Sequence, residues 1–273
     1  MNRSILSENE ENEIKWTLHN TVENEIEEDV LEIEKNEESS DGNVYVIYCK
    51  NNKYIAKVYE DKKHAKSMID LHKKLFQLNI NVPNIVYTNY PSENEDKCMV
   101  IYSFICGEQI TNTLQDGKVE ENLIAEIAKR IRKMHDLTCG ENEFNLPELP
   151  FDACNIRKTL VHFDLTKDNI FLDENNDITI IDFDDAKYGS AIYDVSILIS
   201  TFFFSKKRGV DMNGMKRFID IYYGEDDELK EAEVPLIKEC AIQWIKYLLD
   251  ENKISNSLVD SFNEKIKLIN ENL

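Results

Sequence analysis

The stretch Val161-His162-Phe163-Asp164-Leu165-Thr166-Lys167-Asp168-Asn169-Ile170-Phe171, followed by Ile180-Ile181-Asp182-Phe183-Asp184, constrains this chain more than any other part of it. Short β-branched and aromatic runs alternate there with turns that carry carboxylates and one carboxamide. The runs read as strands, and the Asp and Asn residues between them as turn residues. Asp164 follows an apolar run, and Asn169 stands five positions further on. Taken singly, Asp164 and Asp168 are turn and cap residues and Asn169 closes a tight turn. Taken together, with Asp182 downstream, they form a set that phosphoryl transfer requires. A carboxylate orients an acceptor hydroxyl and takes its proton, and hard oxygen ligands hold magnesium on a nucleotide's phosphates.

Bulk properties bound the rest. A chain of 273 residues accommodates one large domain or two unequal lobes, and 42% hydrophobic residues with 10% aromatic argue against disorder throughout. The net charge of -21, from 32 basic and 53 acidic side chains, repels nucleic acid and anionic membrane and attracts cations. Solubility alone accounts for much of that charge. Six scattered cysteines (Cys49, Cys98, Cys106, Cys139, Cys154, Cys240) contain no CxxC, which argues against a zinc site and a secreted disulfide framework. Met1 to Glu10 has no apolar signal region, and the longest apolar run, Ile197 to Phe204, is too short to span a bilayer. The expectation is a soluble, cytoplasmic protein.

Periodicity predicts the organisation. A modest helix signal over Glu8 to His19 precedes strands at Val30–Glu34, Val44–Cys49 and Tyr54–Tyr59, the last two joined as a hairpin by Lys50-Asn51-Asn52-Lys53. An amphipathic helix over Lys62 to Leu78 and strands near Ile85 and over Cys98 to Phe104 complete the first part. Gly107 marks a change of lobe, after which helices dominate: Glu120–His135, Asp194–Phe204, Met215–Tyr223, Val234–Leu249 and Leu258–Ile269. No internal repeat is present.

His162-Phe163-Asp164 with Asn169, then Ile181-Asp182-Phe183-Asp184-Asp185-Ala186, resembles the aminoglycoside phosphotransferase and choline kinase group within the protein-kinase-like fold. Lys129 to Leu137, with its Met134-His135 pair, is similar to the same group, as are Tyr188-Gly189 and Tyr193-Asp194-Val195. The group often has glycine where Phe163 and Asp184 stand. The resemblance implies an α+β, bilobal fold: a small antiparallel-sheet N-lobe with the hinge over residues 1–105, and a larger, mainly helical C-lobe over 106–273. It implies Asp164 as the catalytic carboxylate, and Asn169 and Asp182 as magnesium ligands. Lys57 would contact the α- and β-phosphates of ATP or GTP, paired with Asp70 on the following helix, where the group usually has glutamate. Ser103 and Ile105 would hold the adenine through backbone groups at the hinge. Asp194 would accept hydrogen bonds from the catalytic-loop backbone, and His162 would orient the loop without transferring a proton.

Only Gly42 stands between the first two strands, in Glu38-Ser39-Ser40-Asp41-Gly42-Asn43, so any phosphate-facing loop there is reduced; no GxxxxGK[ST] occurs. The acceptor implied is a hydroxyl on a small molecule, cationic in view of the acidity and aminoglycoside-like first of all. Choline, homoserine and other amino alcohols are alternatives, and so is a nucleotide-binding pseudokinase without turnover. A protein kinase fits less well, because no activation-segment signature follows Asp182-Phe183-Asp184. Glu225 to Glu228 is open to receiving a cationic ligand and Trp244 and Tyr247 to adding an aromatic wall, although a solvated helix start and core packing account for both more simply. The sequence leaves the oligomeric state open.

Overall fold

The computed structural model describes residues 7–36, 43–90, 97–113, 120–151, 156–175, 177–205, 209–251 and 257–273. The reduced glycine turn at Ser39 to Gly42 lies outside these residues. The chain forms two compact units, Asn2–Cys106 and Gly107–Leu273.

In the N-terminal unit, helix α1 (Glu8–Thr21) starts at a capping box in which Ser7 and Glu10 satisfy each other's backbone N–H groups. Strands β1 (Val30–Lys35), β2 (Val44–Cys49) and β3 (Lys53–Tyr59) follow, then helix α2 (Lys62–Gln77) and strands β4 (Ile85–Thr88) and β5 (Cys98–Ser103). The sheet is wholly antiparallel in the order β1-β2-β3-β5-β4. Alternation divides its side chains between two cores. Tyr45, Ile47, Ala56 and Ile101 pack with Ile14, Leu18 and Val22 of the α1 side. Cys98, Val100 and Tyr102 pack with Ala65 and Ile69 of α2. Strand β5 reads as an unbroken apolar run because both of its faces are covered. Register pairs Lys57 with Val100, which puts Lys57 on the sheet face that α2 covers.

The C-terminal unit begins with β6 (Glu108–Gln109), α3 (Ile110–Thr113) and α4 (Glu121–Leu137). Strands β7 (Lys158–Val161), β8 (Ile170–Leu172), β9 (Ile178–Ile180) and β10 (Lys187–Ser190) then interrupt the helices. Helix α5 (Ile192–Phe202) is buried along almost its whole length, as its apolar composition on every face requires. A small hairpin, β11 (Phe204–Ser205) and β12 (Gly209–Val210), leads to α6 (Met212–Tyr223), α7 (Asp227–Glu233), α8 (Ile237–Asp250) and α9 (Val259–Asn272). Helix α4 packs on α6, and α5 on α8. Among the described residues no helix is long and apolar enough to cross a membrane.

Candidate active site

Two antiparallel ladders bring the motif residues together. Strand β7 ends at Val161, where Lys187 of β10 pairs with it, so the loop opening at His162 and the loop closing at Ala186 leave the same ladder. In the second ladder, Ile170 of β8 pairs with Ile180 of β9, and Ile181 N–H donates to Asn169 O at 3.0 Å. Asn169 and Asp182 therefore leave adjacent strand ends.

Asn169, in the single 3-10 turn Lys167–Asn169, is buried and directs its amide nitrogen at Asp164. Nδ2 donates to Asp164 Oδ2 at 2.9 Å and to Asp164 O at 2.8 Å. With the nitrogen so engaged, the amide oxygen Oδ1 is the atom left to face a cation. Asp168 turns outward instead, where Thr111 Oγ1 donates to its carboxylate at 2.6 Å and Gln109 to its carbonyl at 3.0 Å, tying the loop to β6 and α3.

The loop is held by a buried aspartate. Asp194, on the first turn of α5 and inaccessible to solvent, accepts His162 N–H at 2.8 Å on Oδ2 and Phe163 N–H at 2.9 Å on Oδ1. His135 Nε2 reaches the same Oδ2 at 3.1 Å. Three donors satisfy a charge that would otherwise be costly to bury. Burial pushes the His135 imidazole towards its neutral form, against the pull of Asp194.

Two residues of the motif take left-handed backbone conformations that L side chains rarely adopt: Phe163 at φ 68° and Asp182 at φ 64°. Such strain persists only where the surroundings over-determine it. For Phe163 the surroundings are explicit. Asp194 takes its N–H, and Trp244 Nε1 donates to its carbonyl oxygen at 3.0 Å. Its buried ring lies among Phe151, Tyr247 and Lys187. The position where the resembling group often has glycine thus keeps a glycine-like φ while carrying a phenyl ring.

His162 has no nitrogen to spare. Its Nε2 meets Ile181 O at 2.8 Å, and its Nδ1 accepts the Asp164 N–H at 3.3 Å. A carbonyl only accepts and an amide N–H only donates, so the neutral Nε2–H tautomer is fixed. The imidazole joins the Asp164 loop to the Asp182 loop, and the Phe183 ring sits 4.5 Å from it.

In the N-terminal unit, Lys57 is half-buried on β3. Asp70 is placed differently from the expectation. It lies on the exposed face of α2 and pairs with Lys66 one turn earlier, the ordinary i, i+4 arrangement of a helix surface. Asp70 is also the one acid in α2, whose sheet-facing side offers Ala65 and Ile69. Ser103 closes β5, donating its N–H to Asn84 O at 2.8 Å and accepting the Asn84 N–H on Oγ at 3.1 Å. Ile105 is half-buried just beyond the strand.

The acidic run Glu225 to Glu228 is a helix start. Asp226 caps α7 through Leu229 N–H and accepts Arg132 Nη2 at 3.2 Å. Trp244 is core, and its indole N–H serves the loop. Sequence reasoning missed the part played by Trp244, since nothing in the local pattern ties it to a carbonyl 81 positions earlier.

Residues 143–226 match the model of the phosphotransferase enzyme family, a segment that includes Asp164, Asn169, Asp182 and Asp194. A variant of aminoglycoside 2'-phosphotransferase-IIIa in complex with GDP superposes with a TM-score of 0.65 at 15% identity, over 94% of this chain and 96% of that one. The chain has the protein-kinase-like fold. Choline kinase LicA from Streptococcus pneumoniae shares this kinase-like fold at a TM-score of 0.62 and 12% identity, over 95% of this chain and 99% of that one. No curated protein matches the chain.

The fold implies magnesium, and the donors present suit it. Asn169 offers an amide oxygen and Asp182 a carboxylate, both hard ligands. Among the described residues no group of three or more His, Cys, Asp or Glu is arranged to hold a metal.

Proposed function

We propose that this chain is a nucleotide- and magnesium-dependent phosphotransferase acting on a hydroxyl of a small cationic molecule, aminoglycoside-like in the first instance. The observation that carries the proposal is the Asp164–Asn169 bond on a loop pinned at His162 and Phe163 by buried Asp194. Asp164 is the carboxylate that orients the acceptor hydroxyl and accepts its proton, while the Asn169 amide keeps that carboxylate aimed. Asn169 and Asp182 hold magnesium, which neutralises charge on the phosphates of ATP or GTP. Lys57 contacts the α- and β-phosphates. The Ser103 carbonyl and the Ile105 N–H receive the base, and the Ser103 hydroxyl takes the Asn84 N–H.

A nucleotide donor is supported by the GDP complex of the aminoglycoside phosphotransferase neighbour, and a cationic acceptor by that neighbour, by the choline kinase and by the net charge of -21. A binding protein without turnover is the rival reading. Phe163 gives it less support than the sequence suggests, because this residue reaches a left-handed conformation despite its side chain.

The test combines thermal shift with Mg-ATP and Mg-GTP and turnover across aminoglycosides, choline, homoserine and other amino alcohols. Asp164→Ala and Asp182→Ala are expected to lower acceptor-dependent transfer by at least about 10³-fold while the fold survives. Full activity in either variant removes the proposal. Nucleotide binding with no turnover on any acceptor favours the rival.

A further inference from the structure

We propose that Tyr222, on α6, is a positioning residue for the phosphoryl-transfer loop and acts through the tautomer of His135. The inference rests on the role given above to the Asp164 loop.

Donor counting along a buried chain of contacts leads to it. Arg157 Nη2 lies 2.6 Å from the Tyr222 hydroxyl, and a guanidinium only donates. The hydroxyl's own proton is therefore free to point elsewhere, and His135 Nδ1 stands 2.7 Å away. A neutral His135 that accepts on Nδ1 must carry its proton on Nε2, the atom 3.1 Å from Asp194 Oδ2. Asp194 can then accept from His135 and from the N–H groups of His162 and Phe163 at once. The opposite tautomer sets a nitrogen lone pair against the carboxylate that holds the loop.

The end of the chain of contacts remote from Asp194 is anchored as well. Arg157 Nη1 binds Asp136 Oδ1 at 2.7 Å, and Arg132 binds Asp136, the Tyr222 carbonyl and Asp226. Both guanidinium groups also stand 5.8 Å from the centre of the Tyr222 ring. Tyr222 is thus fixed at its ring, its carbonyl and its hydroxyl, and its hydroxyl acts with Asp194 in setting which imidazole nitrogen carries the proton. Hydrogen-bond partners of this outer kind fix tautomer and orientation of the group in front of them.

The experiment uses the full chain with ¹⁵N-labelled histidine. In the wild type, His135 is expected to show the Nε2–H pattern; in Tyr222→Phe it is expected to become a mixture of tautomers. Mg-ATP hydrolysis, and transfer to whichever acceptor turns over, should lose roughly ten-fold in kcat with KM for Mg-ATP unchanged. Arg157→Met, which removes the donor that turns the hydroxyl, should move both readouts the same way and serves if Tyr222→Phe does not fold. A wild-type His135 protonated on Nδ1, or an Nε2–H pattern unchanged in both variants, overturns the proposal. A loss confined to KM overturns it too. If the wild type proves inactive, the tautomer measurement still decides the Tyr222 contact, and it is the phosphotransferase reading that falls.

Discussion

Helices α2 and α5 each carry a single aspartate that the sequence marks out, and the two could hardly be used more differently. Asp70 on α2 is nearly half exposed and pairs with a lysine on its own helix. Asp194 on α5 is fully buried and takes donors that lie 31, 32 and 59 residues away. The residue type and the secondary structure are the same. The difference lies in what the helix faces. An aspartate on a solvated face finds a local partner and contributes little, because water competes for both charges. One in a dry interior must be satisfied completely, and whatever satisfies it becomes rigid.

Three substitutions sharpen this contrast. Asp194→Asn should have the largest effect, since the amide turns a donor towards N–H groups that need an acceptor. A loss of about 3–5 kcal/mol in unfolding free energy is expected, with phosphotransfer falling in parallel. Urea unfolding checks it, and a variant as stable as the wild type would break the comparison. Trp244→Phe keeps the aromatic bulk but leaves the buried Phe163 carbonyl without its donor. It should cost about 1–3 kcal/mol, with activity falling further than stability because the loop backbone is freed. Asp70→Ala should leave the unfolding midpoint and nucleotide affinity indistinguishable from wild type. A marked rise in KM for Mg-ATP would show instead that this exposed carboxylate takes part in phosphate binding.

Much of the architecture could be read from periodicity. The apolar spacing over Lys62 to Leu78 and Glu120 to His135 appears as α2 and α4 with ends within about two residues, because amphipathic helices write their buried face into the sequence. The hairpin of β2 and β3 was equally legible from alternation around an Asn-rich turn. The motif from His162 to Asp182 was legible because several carboxylates at turns beside apolar strands are uncommon in combination. What escaped was set by tertiary contact. Trp244 read most simply as core packing, which it is, but nothing local showed that its N–H finds a carbonyl 81 positions earlier. Tyr222 and Arg157 gave no signal at all, since a tyrosine on a helix and an arginine before a strand are ordinary in sequence. Asp70, expected to pair with Lys57, stands beside Lys66. The Lys66-to-Asp70 spacing already offered the local partner, and α2 held no other acid with which to compare it.

The partners of Asp194 bear on how the molecule matures as well as on what it does. None of its three donors is local, so the loop cannot acquire its working shape from its own sequence. It must wait until α4, the strand before His162 and α5 have come together, and closing those long stretches of chain is the slow part of folding. A partly folded form therefore lacks the ordered loop. In refolding experiments, catalytic competence should return last, after the helical signal and together with the final burial of α5.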